Sequence, residues 1–118
     1  MKNVVLTATQ LKARIPALNY LMLSQGILDF KGRAETSEGI DAKMALDFYS
    51  RWKFVDELLP LLKRAAEQGQ DARVMTVLAA GYGGKIDLED LGLKKTYGIM
   101  TTSLQVPTYN DLLVQVGA

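Results

Sequence analysis

The chain has 118 residues, of which 48% are apolar and 23% are charged, and its formal net charge is +1. This balance predicts one globular domain over residues 1–118, and the near-neutral charge argues against nucleic acid or an anionic membrane as a partner. The absence of cysteine and histidine excludes disulfides, thiolate nucleophiles, imidazole bases and Ser-His-Asp arrangements, and no metal site is predicted.

The first element predicted is a helix over Asn3–Arg14, because apolar side chains recur there at helical spacing and Pro16 follows. The same stretch lacks the long apolar core of a signal peptide. No window of the chain approaches the ~18 apolar residues of a membrane-spanning helix. A soluble protein of the cytoplasm, without membrane contact, is therefore predicted.

Two short apolar runs predict strands. The first is "LNYLMLSQG", Leu18–Gly26, and the second is "ARVMTVLAAG", Ala72–Gly81. The first is mostly apolar and ends in small and polar residues, and the second is apolar throughout; the loss of alternation is typical of parallel strands that are covered on both faces. A buried helix is the alternative for the first run, although Pro16 and Gly26 leave little length for one.

The longest pattern predicts a helix over Ile40–Gln68. Its apolar residues follow helical spacing and are expected to be buried as one stripe: Ile40, Met44, Phe48, Trp52, Val55, Leu59 and Leu62. Pro60 lies inside this range and is expected to kink or divide the helix around Leu59.

Several polar residues and one glycine mark the ends and the surface of this helix. Thr36 or Ser37 is the predicted N-terminal cap, and Gly69 is the predicted C-terminal stop. Asp47 and Arg51 are spaced for a supporting i,i+4 ion pair on the helix surface.

The remaining segments are a polar loop at 27–39, a glycine-bearing loop at 82–95 and a weaker helical pattern near Thr108–Val116. The resulting order alternates helices with strands, which predicts an α/β fold with a small parallel sheet and right-handed crossovers. Within the second loop, "GYGGK" lacks the spacing of a phosphate-binding loop, so a plain turn is favoured over a phosphate cradle.

Four stretches together resemble the middle of a short-chain dehydrogenase/reductase. They are "LSQG" at 23–26, "SEGIDAKMALDFYSRWKFVDELLPLL" at 37–62, "RVMTVLAAG" at 73–81 and "GGKIDLEDLGLKK" at 83–95. The last stretch is similar to the retinol-dehydrogenase-like and fungal-type members. The resemblance implies a partial, three-layer Rossmann-like fold that lacks the N-terminal nucleotide-binding strands, and it implies NAD or NADP as the cofactor.

The resemblance also implies site positions. The cofactor-binding positions would be Ser24, Gln25, Gly26, Ala79 and Gly81. Among the catalytic positions, the family asparagine falls on Asp47, and the serine falls on Ala79 or Ala80. Tyr97 takes the tyrosine position, with Thr101 in the lysine position; a second alignment puts Gly98 and Thr102 there instead.

These replacements predict a degenerate site. A phenol with a pKa of ~10 exchanges protons poorly at neutral pH unless a nearby cation stabilises its anion, and Thr101 or Thr102 supplies no charge. We therefore expect a truncated, degenerate relative of NAD(P)-dependent oxidoreductases that is inactive as this chain. An enzyme that uses Asp47, Tyr97 or Tyr109 in another way is a less favoured reading.

The alternative reading from a different class is a protein-interaction or regulatory module that binds through the long amphipathic helix. The family resemblance further implies a homo-oligomer formed through the helices at 42–62 and 106–116. Because an isolated two-stranded sheet is marginal, low stability or self-association is expected.

Overall fold

The computed structural model describes residues 1–27 and 29–117 and alternates helices with strands. Its elements are α1 (Lys2–Arg14), β1 (Tyr20–Leu23), α2 (Ala42–Met44), a π-helix (Ala45–Tyr49), α3 (Ser50–Glu67), β2 (Arg73–Thr76) and α4 (Ile99–Gly117). The strands β1 and β2 pair in parallel, with Tyr20 opposite Arg73 and Leu23 opposite Thr76. The predicted α/β class with a small parallel sheet is confirmed.

The chain forms two compact units. Unit 1 comprises Met1–Gln25 and Tyr49–Val77, and unit 2 comprises Gly26–Phe48 and Leu78–Ala118. Unit 1 contains α1, both strands and α3, whereas unit 2 contains α2, α4 and the two segments that follow the strands. The predicted loop at 27–39 includes position 28, which lies outside the described residues.

The core of unit 1 forms where α1 and α3 pack together. Ala8, Leu58 and Leu61 are almost fully buried, and partly buried neighbours such as Leu21 of β1 pack against them. An ion pair between Lys12 Nζ and Glu57 Oε2, 2.9 Å apart, borders this contact. The apolar face of α3 therefore covers one face of the sheet.

The other face of the sheet is open. Met22 and Met75 are opposite each other in the parallel register, and they are 66% and 50% exposed. Successive side chains of a strand point to opposite faces, so these two lie on the face away from Leu21. The prediction that both faces of the sheet are buried is wrong for the described residues. An apolar sequence shows that a strand face is suited to burial, but another element has to pack on that face to bury it.

The predicted apolar stripe is only partly correct. Met44 is 1% exposed and Leu62 is 5% exposed, as predicted, but Leu59 is 40% exposed while its neighbour Leu58 is 1% exposed. The physical reason is that α3 carries two apolar stripes at helical spacing. The stripe that contains Leu58 and Leu61, with Phe54 beside them, packs against Ala8 of α1, whereas Leu59 lies on the other stripe.

The helix begins at a different cap from the one predicted. Asp41, which is 2% exposed, accepts hydrogen bonds from the backbone N–H groups of Lys43 and Met44 at 3.0 and 3.1 Å. The prediction of Thr36 or Ser37 is wrong because these two residues belong to the turn that precedes Asp41, where Thr36 N–H donates to the Ile40 carbonyl at 2.8 Å.

The C-terminal stop of α3 is confirmed. Gly69 has a φ of 72°, a conformation that favours glycine, and its N–H donates to the Ala66 carbonyl at 2.9 Å. Pro60 was predicted to kink or divide the helix near Leu59. The division is wrong, because α3 continues through Pro60 to its end at Glu67, and the kink stays a prediction. Pro60 is exposed, so water can satisfy the carbonyl that lacks its usual donor.

Two element boundaries also differ from the predictions. The strand β2 ends at Thr76, five residues before the predicted end at Gly81. The helix α4 begins at Ile99 and contains Pro107, whereas the sequence predicted a start near Thr108. A proline inside a helical pattern is read as a boundary, but α4 tolerates the loss of one backbone donor there.

The difference in burial between Leu58 and Leu59 can be tested directly by matched substitutions. Leu58→Ala should lower the free energy of unfolding by ~2–5 kcal/mol because it leaves a cavity in the core of unit 1. Leu59→Ala should lower it by less than about 1 kcal/mol, because Leu59 is 40% exposed and lies outside the core cluster of unit 1. Urea denaturation of both variants measures the difference, and a larger loss for Leu59→Ala would contradict the observed face.

Candidate functional site

The carboxyl ends of the two strands are joined by Arg51 of α3, which is 5% exposed. Its Nη2 and Nε atoms donate to the Gln25 carbonyl at 2.7 and 3.2 Å. Its Nη1 atom donates to Thr76 Oγ1 at 2.7 Å and to the Val77 carbonyl at 2.6 Å. Ligands of open α/β sheets bind beyond the carboxyl ends of the strands. Here the guanidinium group of Arg51 forms hydrogen bonds with acceptors at that edge.

Sequence reasoning missed this role of Arg51. The spacing to Asp47 suggested a surface ion pair, and that pairing stays a prediction. The position of Arg51 immediately before Trp52 of the apolar stripe is a sequence signal that its side chain lies near buried residues. Its hydrogen-bond partners, however, are 25 or 26 residues away along the chain. A local pattern does not reveal contacts of that range.

Two of the predicted cofactor-binding residues follow β1 in unit 1. Ser24 is exposed. Gln25 is half-buried, and its Nε2 atom donates to Ser50 Oγ at 3.1 Å while its carbonyl accepts from Arg51. Gln25 thus connects the end of β1 to the start of α3, and a cofactor contact of either residue stays a prediction.

The other predicted cofactor-binding residues lie in unit 2, where Gly26, Ala79 and Gly81 are all exposed. The Ala79 carbonyl accepts from the N–H of Tyr82 at 3.1 Å, which closes a tight turn. Gly81 has a φ of 81° in this turn, so glycine is required there for backbone reasons.

The glycine pair that follows packs against α4. A Cβ atom on Gly84 would lie 2.8 Å from the Cβ of Leu104, closer than the packing allows. Thr108 Oγ1 accepts from the N–H of Gly84 at 2.9 Å and donates to the Gly84 carbonyl at 3.1 Å. These contacts give Gly84 a role in the close approach of the loop to the helix.

Asp47 occupies the middle of the π-helix and connects three segments of unit 2. Its Oδ1 atom accepts from the N–H of Ile27 at 3.3 Å. Its backbone carbonyl accepts from Asn110 Nδ2 at 3.2 Å, and Asn110 is fully buried in α4. Single π-helical turns occur often at functional sites, and a side chain from another element here satisfies a carbonyl of the widened turn.

Tyr97, the predicted vestigial tyrosine, is half-buried in unit 2. Its hydroxyl group is enclosed and has no hydrogen-bond partner within residues 1–27 and 29–117, so it is not bonded to Asp47. The Lys43 ammonium lies 5.9 Å from the centre of the ring and also donates to the Lys31 carbonyl at 3.0 Å. The cation beside this phenol thus comes from a residue that sequence reasoning did not consider.

Tyr109 is fixed by contacts inside unit 2. The single proton of its hydroxyl group is shared between two acceptors, Gln105 Oε1 at 2.9 Å and the Leu91 carbonyl at 3.3 Å. Its ring centre lies 5.5 Å from that of Phe48. These contacts describe a packing residue with a satisfied hydroxyl group.

The loop before α4 is ordered by Asp90, which is 7% exposed. Its carboxylate accepts from the backbone N–H groups of Lys94, Lys95 and Thr96, each at 2.8 Å. Burial alone would raise the pKa of this carboxyl group, but the hydrogen bonds outweigh that effect and hold the pKa at about 2. Asp90 is therefore a charged anchor of the loop.

The sequence is similar to parts of several proteins that are named as oxidoreductases. Oxidoreductase AN1596 of Emericella nidulans is 36% identical over 98% of this chain and 33% of its own length. The NmrA-like family domain-containing oxidoreductase notO of Aspergillus sp. is 32% identical over 89% of this chain and 31% of its own. The short chain dehydrogenase/reductase dpchH of Colletotrichum higginsianum is 35% identical over 67% of this chain and 20% of its own.

The chain is therefore similar to a portion of proteins that are named as oxidoreductases. The chain spans about a third of the length of the first two relatives. No family model matches the sequence, and no solved structure matches it. Within the described part of the chain, no helix is both long and apolar enough to cross a membrane.

The Arg51 contacts give a second prediction. Arg51→Met should lower the free energy of unfolding by ~2–4 kcal/mol, because it removes charge-assisted hydrogen bonds and takes these donors away from the backbone carbonyl groups of Gln25 and Val77. The matched control is Arg73→Met, since the Arg73 side chain is 71% exposed. Urea denaturation that gave equal losses for the two variants would contradict the role assigned to Arg51.

Proposed function

We propose that the chain is a truncated and degenerate portion of a short-chain dehydrogenase/reductase-like domain, of NAD(P)-dependent oxidoreductase ancestry and inactive as this chain. The supporting observation is the parallel pair β1–β2 in a sequence that aligns over 98% of its length with an oxidoreductase. The loop at 83–95 and the Emericella and Aspergillus relatives support a place near the retinol-dehydrogenase-like or fungal-type members.

The residues at the proposed proton-transfer positions support inactivity. Ala79 carries a methyl group in place of a hydroxyl, so it cannot bond a substrate oxygen through its side chain. The hydroxyl of Tyr97 is enclosed by protein atoms. Asp47 uses its carboxylate to accept from Ile27 N–H. None of these groups is arranged to exchange a proton with a bound alcohol or carbonyl group.

Protein contacts already engage one of the proposed cofactor positions. The side-chain amide of Gln25 donates to Ser50, and the backbone carbonyl of Gln25 accepts from Arg51. The glycine-rich turn is filled at Gly84 by the side chain of Leu104. We therefore expect at best weak affinity for NAD or NADP.

A binding experiment tests the proposed function. The chain is titrated with NADH and with NADPH to ~1 mM while the fluorescence of Trp52 and of the cofactor is followed. We expect no saturable change and no hydride transfer to or from alcohol and ketone substrates. Saturable binding with turnover by this chain would contradict the proposal.

One observation favours the alternative, a protein-interaction module. Beyond the π-helix, α3 presents a second apolar stripe on which Trp52 and Val55 are half-buried and Leu59 is 40% exposed. A partly exposed apolar stripe suits a helix-mediated contact, including the homo-oligomer proposed through residues 42–62 and 106–116. Sedimentation that showed a monomer at every concentration would remove the oligomer.

A further inference from the structure

The ammonium group of Lys43 in unit 2 is a buried positive charge whose hydrogen-bonding capacity is only partly used. Lys43 is 9% exposed, and its Nζ atom donates to the Lys31 carbonyl at 3.0 Å. An ammonium group carries three N–H donors, and among the residues that the structure describes no carboxylate forms an ion pair with this one. Buried charges in proteins are ordinarily paired, because their removal from water is costly. Lys43 therefore indicates a need for an anionic partner.

The acidic residue nearest to Lys43 along the chain does not meet this need. Asp41 is 2% exposed, and its carboxylate accepts from the backbone N–H groups of Lys43, Met44 and Ala34 at 3.0, 3.1 and 3.2 Å. The carboxylate thus caps the helix and orders the segment before it, whereas the Lys43 ammonium lies beside the ring of Tyr97.

The second observation is the Tyr97 hydroxyl, which is enclosed and has no hydrogen-bond partner within the described ranges. Buried polar atoms without a partner are rare in folded proteins, and a bound ion or water is a common explanation. The Lys43 ammonium lies 5.9 Å from the centre of the Tyr97 ring. Two hydrogen bonds of roughly 3 Å each that meet at one acceptor span about 6 Å. One small acceptor is therefore of the right size to bond to both groups.

A third enclosed donor belongs to the segment that Lys43 contacts. Arg33 Nε is shielded from solvent and lacks a partner in the part of the chain that the structure describes. It lies two residues after Lys31, whose carbonyl accepts from Lys43. The guanidinium group is also paired with Glu35 through Nη1, so the charges of Arg33 and Glu35 offset each other. The uncompensated charge is that of Lys43, which favours a monovalent anion.

We propose that Lys43 and Tyr97, with Arg33 beside them, form a binding site for a monovalent anion in unit 2, and that chloride is its ligand. The enclosure of the Tyr97 hydroxyl and of Arg33 Nε suits a monatomic ion better than a polyatomic ion such as phosphate. A bound water molecule would accept the same hydrogen bonds but would leave the Lys43 charge without a counter-ion. Chloride bound there would connect Lys43 to the segment before α4 and would stabilise the fold.

The dependence of stability on chloride tests the proposal. Sodium gluconate is replaced stepwise by sodium chloride at a constant ionic strength of ~0.2 M, so that electrostatic screening is unchanged. Circular dichroism follows the melting temperature, and the line width of the chloride NMR resonance reports binding. We expect the melting temperature to rise with chloride concentration, as it does for any ligand of the folded state, and the chloride line to broaden.

Tyr97→Phe removes the hydroxyl group and keeps the ring. It should weaken chloride binding by about tenfold, because one hydrogen bond to a charged ligand is lost, and it should change the stability in gluconate little. Lys43→Met should abolish the chloride dependence, because it removes the positive charge. The matched control is Tyr109→Phe, since the Tyr109 hydroxyl is already bonded to Gln105 and to the Leu91 carbonyl. This control should lower the melting temperature equally at every chloride concentration.

The proposal is overturned if the unmodified chain melts at the same temperature in chloride and in gluconate and leaves the chloride line unchanged. That result would assign the Tyr97 hydroxyl to a bound water molecule. Full chloride dependence in a folded Tyr97→Phe variant, or an equal loss of it in Tyr109→Phe, would also overturn the proposal. Circular dichroism shows whether each variant is folded, and Tyr97→Phe keeps the test decisive if Lys43→Met does not fold.

Discussion

The organisation of unit 1 depends on the buried guanidinium group of Arg51. Removing a charge from water is costly, and here the cost is offset by hydrogen bonds to the Gln25 carbonyl, the Thr76 hydroxyl and the Val77 carbonyl. Because these acceptors follow or end the two strands, one side chain holds both strand ends and the start of α3 together. The same contacts remove those acceptors from any ligand at the carboxyl edge.

The sequence predicted the fold as far as local rules apply. The helix α1, the positions of both strands and the glycine stop at Gly69 follow from spacing and backbone preference. The burial of Leu58 instead of Leu59 did not follow from spacing, because α3 carries two apolar stripes at helical spacing. Which stripe packs against α1 is decided by tertiary contacts, and the periodicity is the same for both.

The candidate site was less predictable than the fold. The turn at Gly81 could be identified from sequence, since a positive φ is a local requirement that glycine meets. The Lys43 ammonium near the Tyr97 ring and the Asn110 amide on the Asp47 carbonyl could not, because they join residues that are distant along the chain. Contacts of this kind are set by tertiary packing, on which spacing carries no information.

Packing and chemistry impose different demands on this chain. An apolar strand face contributes ~25 cal/mol per Å² when it is covered, and in water it contributes nothing and favours aggregation. Met22 and Met75 therefore gain this stabilisation only where they are covered, whereas Ala79 and Asp47 are held by hydrogen bonds within the chain. The proposed loss of proton-transfer groups is compatible with a folded scaffold, because burial stabilises the sheet and a reactive site depends on a few polar atoms.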